Sequence, residues 1–312
     1  MAPVSRILVA AFAMAILALP MAELGYVGAM PIHHPLLPKP DHAGFASVNG
    51  LKIWYGIYNP KGPDPVILLH GGLGSSVDWR NQIPALVGKH KVIVADSRGQ
   101  GRSTRAGQPI SYDLMMGDVL ALMDHLKIKK AAFAGWSDGG IIALDIAIHH
   151  PDRISKLFTY GANFSPEGLI PDPSATAMST LRIEMASLVD EHAETVRDVT
   201  EMWNEEPDFT PEQLGSIHIP TMIADGAHEE AIKPEHTREL AEMIPGAELA
   251  ILPNVGHSGL LEDPADFNKL LVGFLDGTSR APAENADLSS AQAAPTPSVS
   301  TRATETTTEL AP

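Results

Sequence analysis

The chain has 312 residues, of which 44% are hydrophobic and 19% are charged, and its formal net charge is −16. This apolar content is typical of globular proteins and excludes a chain that is disordered throughout. The strong negative charge argues against nucleic acid as a partner, because phosphate groups would be repelled. Cysteine is absent, which excludes disulfides, thiolate metal sites and cysteine nucleophiles.

The N-terminus is predicted to be a signal peptide, assigned to residues 1–29. Arg6 precedes an uncharged, apolar run from Ile7 to Leu19, which fits a secretory signal. The run is shorter than the roughly 20 residues that a membrane-spanning helix needs. We therefore expect an exported protein, periplasmic or secreted, with no stable membrane anchor after cleavage. An uncleaved N-terminus that tethers the protein to the membrane is the alternative.

The remaining chain is divided into a linker, one folded unit and a tail. Residues 30–43 are rich in proline and are predicted to be a linker, and residues 44–277 are expected to fold. Residues 278–312 consist mainly of Ala, Thr, Ser, Pro and Glu and contain no aromatic residue. Such a composition buries too little apolar surface to offset the entropy of ordering, so a disordered tail is predicted.

Short β-branched runs alternate with helical patterns in the folded unit, which predicts an α/β protein with a mostly parallel β-sheet flanked by helices. Asn49-Gly50 is a strong turn signal and predicts an N-terminal hairpin. The predicted strands are Ser47–Asn49, Lys52–Tyr58, Val66–Leu69, Val92–Ala95, Ala131–Ala134, Lys156–Tyr160, Thr221–Ala224 and Glu248–Leu252. The predicted helices are Tyr112–Leu126, Asp138–His149, Pro234–Ile244 and Pro264–Leu275.

Residues 164–215 interrupt this alternation and are predicted to form a helical cap. Apolar residues such as Leu181, Met185, Val199 and Trp203 recur there at helical spacing. Such insertions emerge at the carboxyl ends of the strands, where open α/β sheets bind ligands. The segment has 12 acidic and two basic residues, a net charge of −10. If these acidic side chains face the site, they disfavour anionic substrates. Otherwise they form a solvated helix face.

The sharpest motif is Gly135-Trp136-Ser137-Asp138-Gly139, which matches the G-x-S-x-G nucleophile elbow. It follows a predicted strand and opens a predicted helix, as a tight strand-to-helix turn requires. The turn would expose the Ser137 hydroxyl above the sheet, at a helix N-terminus whose dipole favours negative charge. Ser137 is therefore the candidate nucleophile.

With this motif the chain resembles the α/β-hydrolase fold family. His70-Gly71-Gly72-Leu73-Gly74 follows a strand, as in the family. The resemblance implies an oxyanion hole formed by the backbone N–H groups of Gly72 and Asp138, with Leu73 as the alternative to Gly72. It also implies that the loop containing Asp96 and Arg98 has a structural role.

The same resemblance implies the remaining catalytic residues. His257, in a loop after the last predicted strand, stands where the family has its catalytic base. The acid is expected three residues after Gly226, and Glu229 occupies that position. A glutamate orients the imidazole as an aspartate does. Asp225 is the alternative acid, and Glu230 is a further candidate.

The segment Gly135–Gly140, together with Asn254-Val255-Gly256-His257, is similar to the biphenyl-hydrolase-like branch, the valacyclovir hydrolase-type serine esterases. In that branch the aspartate after the nucleophile pairs with a substrate ammonium group, which implies this role for Asp138. The alternative is an aspartate that only stabilises a helix N-terminus. Trp136 and Trp203 are expected to contact the substrate as well.

These features predict an exported, cofactor-free serine hydrolase that cleaves a small carboxylic ester, including one that bears an amine, through an acyl-enzyme. Neither a metal-ligand spacing nor a dinucleotide fingerprint is present in the sequence, so no metal or nicotinamide cofactor is expected. Alternatives on the same scaffold are a lactonase, an amidase, a C–C hydrolase and a perhydrolase. A non-catalytic small-molecule-binding protein is the alternative from another class.

Overall fold

The computed structural model describes residues 36–171 and 191–278, except the side chains of Glu191 and His192. The predicted signal peptide, residues 30–35 of the linker, the middle of the cap and nearly all of the tail lie outside this part of the chain. Leu181 and Met185, expected in the cap, lie outside it too. No helix in the described residues has the length and apolar character that crossing a membrane requires.

An eight-stranded sheet forms the centre of the described fold. Its strands are β1 (His42–Val48), β2 (Leu51–Tyr58), β3 (Asp64–Leu69), β4 (His90–Ala95), β5 (Ala131–Trp136), β6 (Ile154–Tyr160), β7 (Thr221–Gly226) and β8 (Glu248–Leu252). Their order across the sheet is β1-β2-β4-β3-β5-β6-β7-β8. β2 is antiparallel to both β1 and β4, and all other pairs are parallel. The mostly parallel sheet is therefore confirmed.

Helices cover both faces of this sheet. The described α-helices are α1 (Ile83–Leu86), α2 (Tyr112–His125), α3 (Asp138–His149), α4 (Glu191–Glu205), α5 (Pro211–Gly215), α6 (Pro234–Met243), α7 (Gly259–Glu262) and α8 (Pro264–Asp276). Two 3-10 helices, Ser76–Asn81 and Pro166–Gly168, join them. Of these, α4, α5 and the second 3-10 helix lie within residues 164–215, where Leu169 also forms an isolated β-bridge with Ile232.

The two faces follow from the two-residue period of a strand. On β3, Val66 and Leu68 point to one side, where α1, α7 and α8 pack, and Ile67 and Leu69 point to the other, where α2, α3 and α6 pack. All four side chains are buried. Each contributes about 1.5–3 kcal/mol of transfer free energy, which explains why β3 is apolar on both faces, as parallel strands usually are.

The N-terminal hairpin forms around Asn49-Gly50, as predicted. Asn49 has φ 51° and Gly50 has φ 77°, the left-handed conformations that a tight two-residue hairpin turn requires. The first strand is longer than expected, since His42 already pairs with Ile57. The last two residues assigned to the linker are therefore strand. The reason is the partner: β2 extends to Tyr58 and offers backbone groups along its whole length.

The cap helix α4 is held to the loop that follows β4. Arg105 forms ion pairs with Glu194, at 2.9 Å, and with Asp198. The side chains of Arg105 and Asp198 are 12% and 6% exposed, so this contact is largely shielded from water. It fixes α4 above the carboxyl ends of the central strands, where the candidate site lies.

Candidate active site

Ser137 occupies the turn between β5 and α3 with φ 52° and ψ −121°. A non-glycine residue in this region costs about 1–3 kcal/mol and is maintained only where its surroundings enforce it. The surroundings here are two close backbone approaches. A Cβ on Gly135 would overlap the carbonyl group of Gly139, and a Cβ on Gly139 would overlap the carbonyl group of Leu69. The strained serine and its flanking glycines thus form one unit at the N-terminus of α3.

His257 and Glu229 are in direct contact. Nδ1 of His257 lies 2.9 Å from Oε1 of Glu229, whose side chain is 1% exposed. The same oxygen accepts hydrogen bonds from the backbone N–H groups of Ala231, at 2.7 Å, and Ile232, at 3.1 Å. Burial alone would raise the pKa of Glu229, but hydrogen bonds, led by that from His257, lower it to about 2. Glu229 is thus ionised at neutral pH and fixes Nδ1 as the protonated nitrogen of His257.

Three further side chains hold the backbone of the His257 loop. Glu230 accepts a hydrogen bond from the backbone N–H of His257 at 3.0 Å. Glu262 accepts one from the N–H of Gly256 at 2.8 Å. The indole N–H of Trp136 donates to the carbonyl oxygen of His257 at 2.7 Å. Trp136 was expected to contact substrate; in this structure it also anchors the loop.

Ser137 and His257 line one cavity of about 370 Å³. Its lining combines the elbow, the loop after β3, the His257 loop and the cap. The lining residues are Gly71, Gly72, Trp136, Ser137, Asp138, Asn163, Leu169, Trp203, Glu206, Ala231, Ile232 and His257. The structure therefore brings the predicted nucleophile, base and pocket tryptophans to the same cavity.

Asp138 lies at the wall of this cavity and is 4% exposed. Its Oδ1 accepts hydrogen bonds from the Tyr112 hydroxyl at 3.0 Å and from Trp203 Nε1 at 2.9 Å. Burial raises the pKa of Asp138 to about 6, although both hydrogen bonds act in the opposite direction. A buried carboxylate that has only neutral donors is ready to accept a cation.

Gly72 approaches Asp138 and Trp203 so closely that a Cβ on it would lie within 2.5 Å of each side chain. Gly72 lines the cavity beside Ser137. Leu73, the alternative oxyanion donor, has φ 58° and is 37% exposed. Of the two, Gly72 is therefore the residue that the structure places at the cavity wall.

Asp225, the alternative acid, lies at the end of β7 and is 2% exposed. It accepts hydrogen bonds from the backbone N–H of Gly226 at 2.8 Å and from Thr237 Oγ1 at 2.6 Å. The carboxylate that contacts the His257 ring is that of Glu229.

The sequence reasoning missed three residues of this site, Tyr112, Glu206 and Glu262, and considered Glu230 only as a further candidate for the acid. Glu206 lines the cavity and accepts a hydrogen bond from the backbone N–H of Tyr112 at 2.9 Å. No lysine or arginine is among the described residues that line the cavity. The acidic composition of the cap was a signal for Glu206, but it did not single out the residue.

No group of three or more His, Asp or Glu side chains in residues 36–171 and 191–278 is arranged to hold a metal ion. Met202, in α4 of the cap, is buried in the core on the α2–α3 side of the sheet. Trp203, its neighbour, faces the cavity.

Comparison with known proteins identifies the fold. The sequence profile of the α/β-hydrolase fold matches residues 64–196. The putative carbamate hydrolase RutD of Caulobacter sp. (strain K31) is 29% identical over 251 residues, which are 70% of this chain and 93% of that protein. The resemblance stated from the motifs is thereby confirmed at the level of the family. The narrower similarity to the biphenyl-hydrolase-like branch stays a prediction.

Solved structures agree with this assignment. The enol-lactonase from Burkholderia xenovorans LB400 superposes with a TM-score of 0.62 at 26% identity, covering 74% of this chain and 99% of its own. Est816, described as an N-acyl homoserine lactone degrading enzyme, superposes with a TM-score of 0.62 at 28% identity, covering 75% of this chain and 100% of its own. These relatives support a hydrolytic role.

Proposed function

The chain has the α/β-hydrolase fold, and from this premise we propose that it is a serine hydrolase that cleaves small carboxylic esters. Ser137 is the nucleophile, His257 the general base and Glu229 the acid that orients it. The observation that carries the proposal is the shared cavity. It joins a strained serine at a helix N-terminus with a histidine whose Nδ1 is bound by an ionised, buried carboxylate.

In the proposed mechanism each step is performed by a particular group. Because Nδ1 of His257 donates to Glu229, Nε2 is the nitrogen that accepts the proton of Ser137 as Oγ attacks the acyl carbon. The backbone N–H groups of Asp138 and Gly72 stabilise the oxyanion, each contributing about 3 kcal/mol. The protonated His257 then returns its proton to the leaving alcohol. Water, activated by the same imidazole, releases the acid and regenerates Ser137.

Substrates that carry an ammonium group fit the charges of the cavity. Asp138 and Glu206 are carboxylates of its wall, and the described lining has no basic residue other than His257. An ammonium group beside Asp138 would compensate the charge of this carboxylate, which burial has deprived of hydrating water. We therefore place amine-bearing esters ahead of neutral esters, and both ahead of anionic ones.

A lactone is the second candidate substrate. It contains the same acyl–oxygen bond as an ester, and two of the structures that this chain resembles are described as an enol-lactonase and an N-acyl homoserine lactone degrading enzyme. The same triad would open the ring, because the leaving alkoxide simply stays attached to the acyl group.

Labelling by a fluorophosphonate tests the proposed nucleophile without knowledge of the natural substrate. Intact mass is measured for the wild type, for Ser137→Ala and for the matched control Ser216→Ala, whose side chain is exposed on α5's C-terminal side. We expect one label on the wild type and on Ser216→Ala, and none on Ser137→Ala. A folded wild type that takes no label would overturn the proposal in favour of a binding protein.

A substrate panel then tests the acyl group. We expect aminoacyl esters to be cleaved with a higher kcat/KM than their N-acetylated forms, and Asp138→Asn to remove most of that difference. Equal losses for both substrates in Asp138→Asn would reject pairing between Asp138 and the ammonium group. A parallel series of lactones shows which ring-opened products form.

We also propose export, supported by the charge and hydropathy pattern of residues 1–29. Expression of the full chain followed by N-terminal sequencing of the periplasmic or secreted fraction tests it. A mature N-terminus near Met30 is expected. Recovery of the intact N-terminus in the membrane fraction would support the tethered alternative.

A further inference from the structure

Asp225 is a buried carboxyl group that the proposed mechanism does not use. It lies at the end of β7, 2% exposed, and its hydrogen-bonding partners Gly226 N and Thr237 Oγ1 are both uncharged. An ionised carboxylate in such a place is costly unless a cation or several donors compensate. Its ionisable neighbours are Glu229, which is itself acidic, and Tyr160, whose hydroxyl donates to Gly256 O.

Glu229, in turn, has one carboxylate oxygen that lacks a hydrogen-bond donor in the described part of the chain. Its Oε1 accepts three hydrogen bonds, from His257 Nδ1 and from the backbone N–H groups of Ala231 and Ile232. Its Oε2 is buried and accepts no hydrogen bond from an N–H or hydroxyl group of the described residues. A buried oxygen without a donor costs about 1–3 kcal/mol. The side chain of Asp225 lies within hydrogen-bonding reach of Glu229.

A single proton on Asp225 would neutralise its buried charge and supply a hydrogen-bond donor for Oε2 of Glu229. Burial raises the pKa of Asp225 well above its usual range, and the adjacent Glu229 raises it further. The pKa of Glu229 is lowered by the hydrogen bond from His257 and then by that from Asp225, against the effect of burial. When two carboxyl groups share a site, one stays protonated. Here that one is Asp225.

We propose that Asp225 is a positioning residue that carries a proton at neutral pH and donates it in a hydrogen bond to Oε2 of Glu229. The hydrogen-bonded chain then runs from Asp225 through Glu229 to His257. Each oxygen of Glu229 is held, so the acid stays oriented while the imidazole gains and loses its proton. This inference rests on the proposed triad and adds a fourth member, distinct from the role of Asp225 as an alternative acid.

Two substitutions separate these roles. Asp225→Asn keeps a neutral donor of nearly the same shape, so we expect it to lose no more than about threefold in kcat. Asp225→Ala removes the donor, and we expect a loss of about 10- to 100-fold in kcat with little change in KM, as for other supporting residues behind a functional site. Asp145→Ala, which removes another buried carboxyl group outside the cavity, is the matched control and stays near wild type.

A double-mutant cycle shows whether the effect passes through Glu229. If it does, Asp225→Ala has no further cost in a Glu229→Gln background. A cost that persists there would assign Asp225 a purely structural role and overturn the inference. A loss above about 10³-fold in Asp225→Asn would also overturn it, because an ionised Asp225 would then be the acid itself.

Infrared spectroscopy reads the proton without any catalytic assay. At neutral pH the wild type should show the C=O stretch of a protonated carboxylic acid that Asp225→Asn lacks, and absence of that band would overturn the inference. This readout separates the two hypotheses. Failure of fluorophosphonate labelling contradicts the serine hydrolase, whereas absence of the band contradicts the protonated Asp225 alone.

Discussion

Asp138→Asn is expected to stabilise the protein at neutral and alkaline pH. The carboxylate of Asp138 is buried, and its Oδ1 accepts both neighbouring donors, Tyr112 at 3.0 Å and Trp203 at 2.9 Å. An asparagine whose carbonyl oxygen takes the place of Oδ1 keeps both of these hydrogen bonds and loses only the longer one, 3.1 Å, from Trp203 Nε1 to Oδ2. The substitution therefore removes a charge while it leaves the packing and the principal hydrogen bonds in place.

The magnitude follows from the pKa. Burial raises the pKa of Asp138 from 3.8 to about 6, and a shift of this size corresponds to about 3 kcal/mol. Because the higher pKa belongs to the folded state, protonation favours folding. The stabilisation is complete below pH 4 and is lost as the pH rises through 6. Asp138→Asn lacks this dependence, so its advantage over the wild type grows across that interval to about 3 kcal/mol.

Urea unfolding of both proteins at several pH values between 4 and 8 measures this difference. Asp124→Asn, at a side chain that is 69% exposed, is the matched control and should change the free energy of unfolding by less than about 0.5 kcal/mol at any pH. A difference between Asp138→Asn and the wild type that is independent of pH would refute the reasoning, and so would an Asp138→Asn protein that is the less stable one at pH 8.

Three further substitutions test the site and its support. Glu229→Gln should lower kcat about 10³- to 10⁴-fold, because the amide no longer stabilises the imidazolium; an ester-hydrolysis assay measures this, and a loss below tenfold would contradict the assignment. Arg98→Ala deprives the buried Asp118 carboxylate of hydrogen bonds of 2.7 and 2.8 Å and should lower the free energy of unfolding by about 3–5 kcal/mol. Urea unfolding measures this, and a decrease of less than about 1 kcal/mol would contradict the expectation. Trp136→Phe removes the donor to the His257 carbonyl oxygen and should lower kcat about fivefold, the kinetic equivalent of about 1 kcal/mol; KM should not change, and a rise in KM alone would assign Trp136 to substrate contact.

The central elements of the fold were predictable from the sequence, and the reason is burial. Strands that are covered on both faces appear in the sequence as continuous apolar runs, and the helices between them show apolar residues at helical spacing. α3 and β8 have the predicted bounds, Asp138–His149 and Glu248–Leu252. The start of α3 follows from the elbow motif, because the helix begins directly after the nucleophile, at Asp138.

The support of the site was not predictable in the same way. Tyr112 was expected only as the first residue of a helix, yet its hydroxyl reaches Asp138 across 26 residues of sequence. Its backbone N–H meets Glu206 across 94 residues. Such contacts depend on how α2 and the cap pack above α3, and neither periodicity nor a local motif carries that information. Short-range chemistry identified the groups proposed to react, and long-range packing determines the groups that hold them.

The choice of glutamate as the acid follows from two tasks that one oxygen performs. Oε1 of Glu229 accepts from His257 Nδ1 and also from the N–H groups of Ala231 and Ile232, so it orients the imidazole and closes its own loop. The loop has little freedom to move closer, since Ala227 N donates to Leu252 O at 2.8 Å and His228 N to Val255 O at 3.0 Å. An aspartate at position 229 is one methylene shorter and would lose the histidine or the loop contacts. The length of the side chain, rather than its charge alone, therefore couples closure of this loop to the orientation of His257.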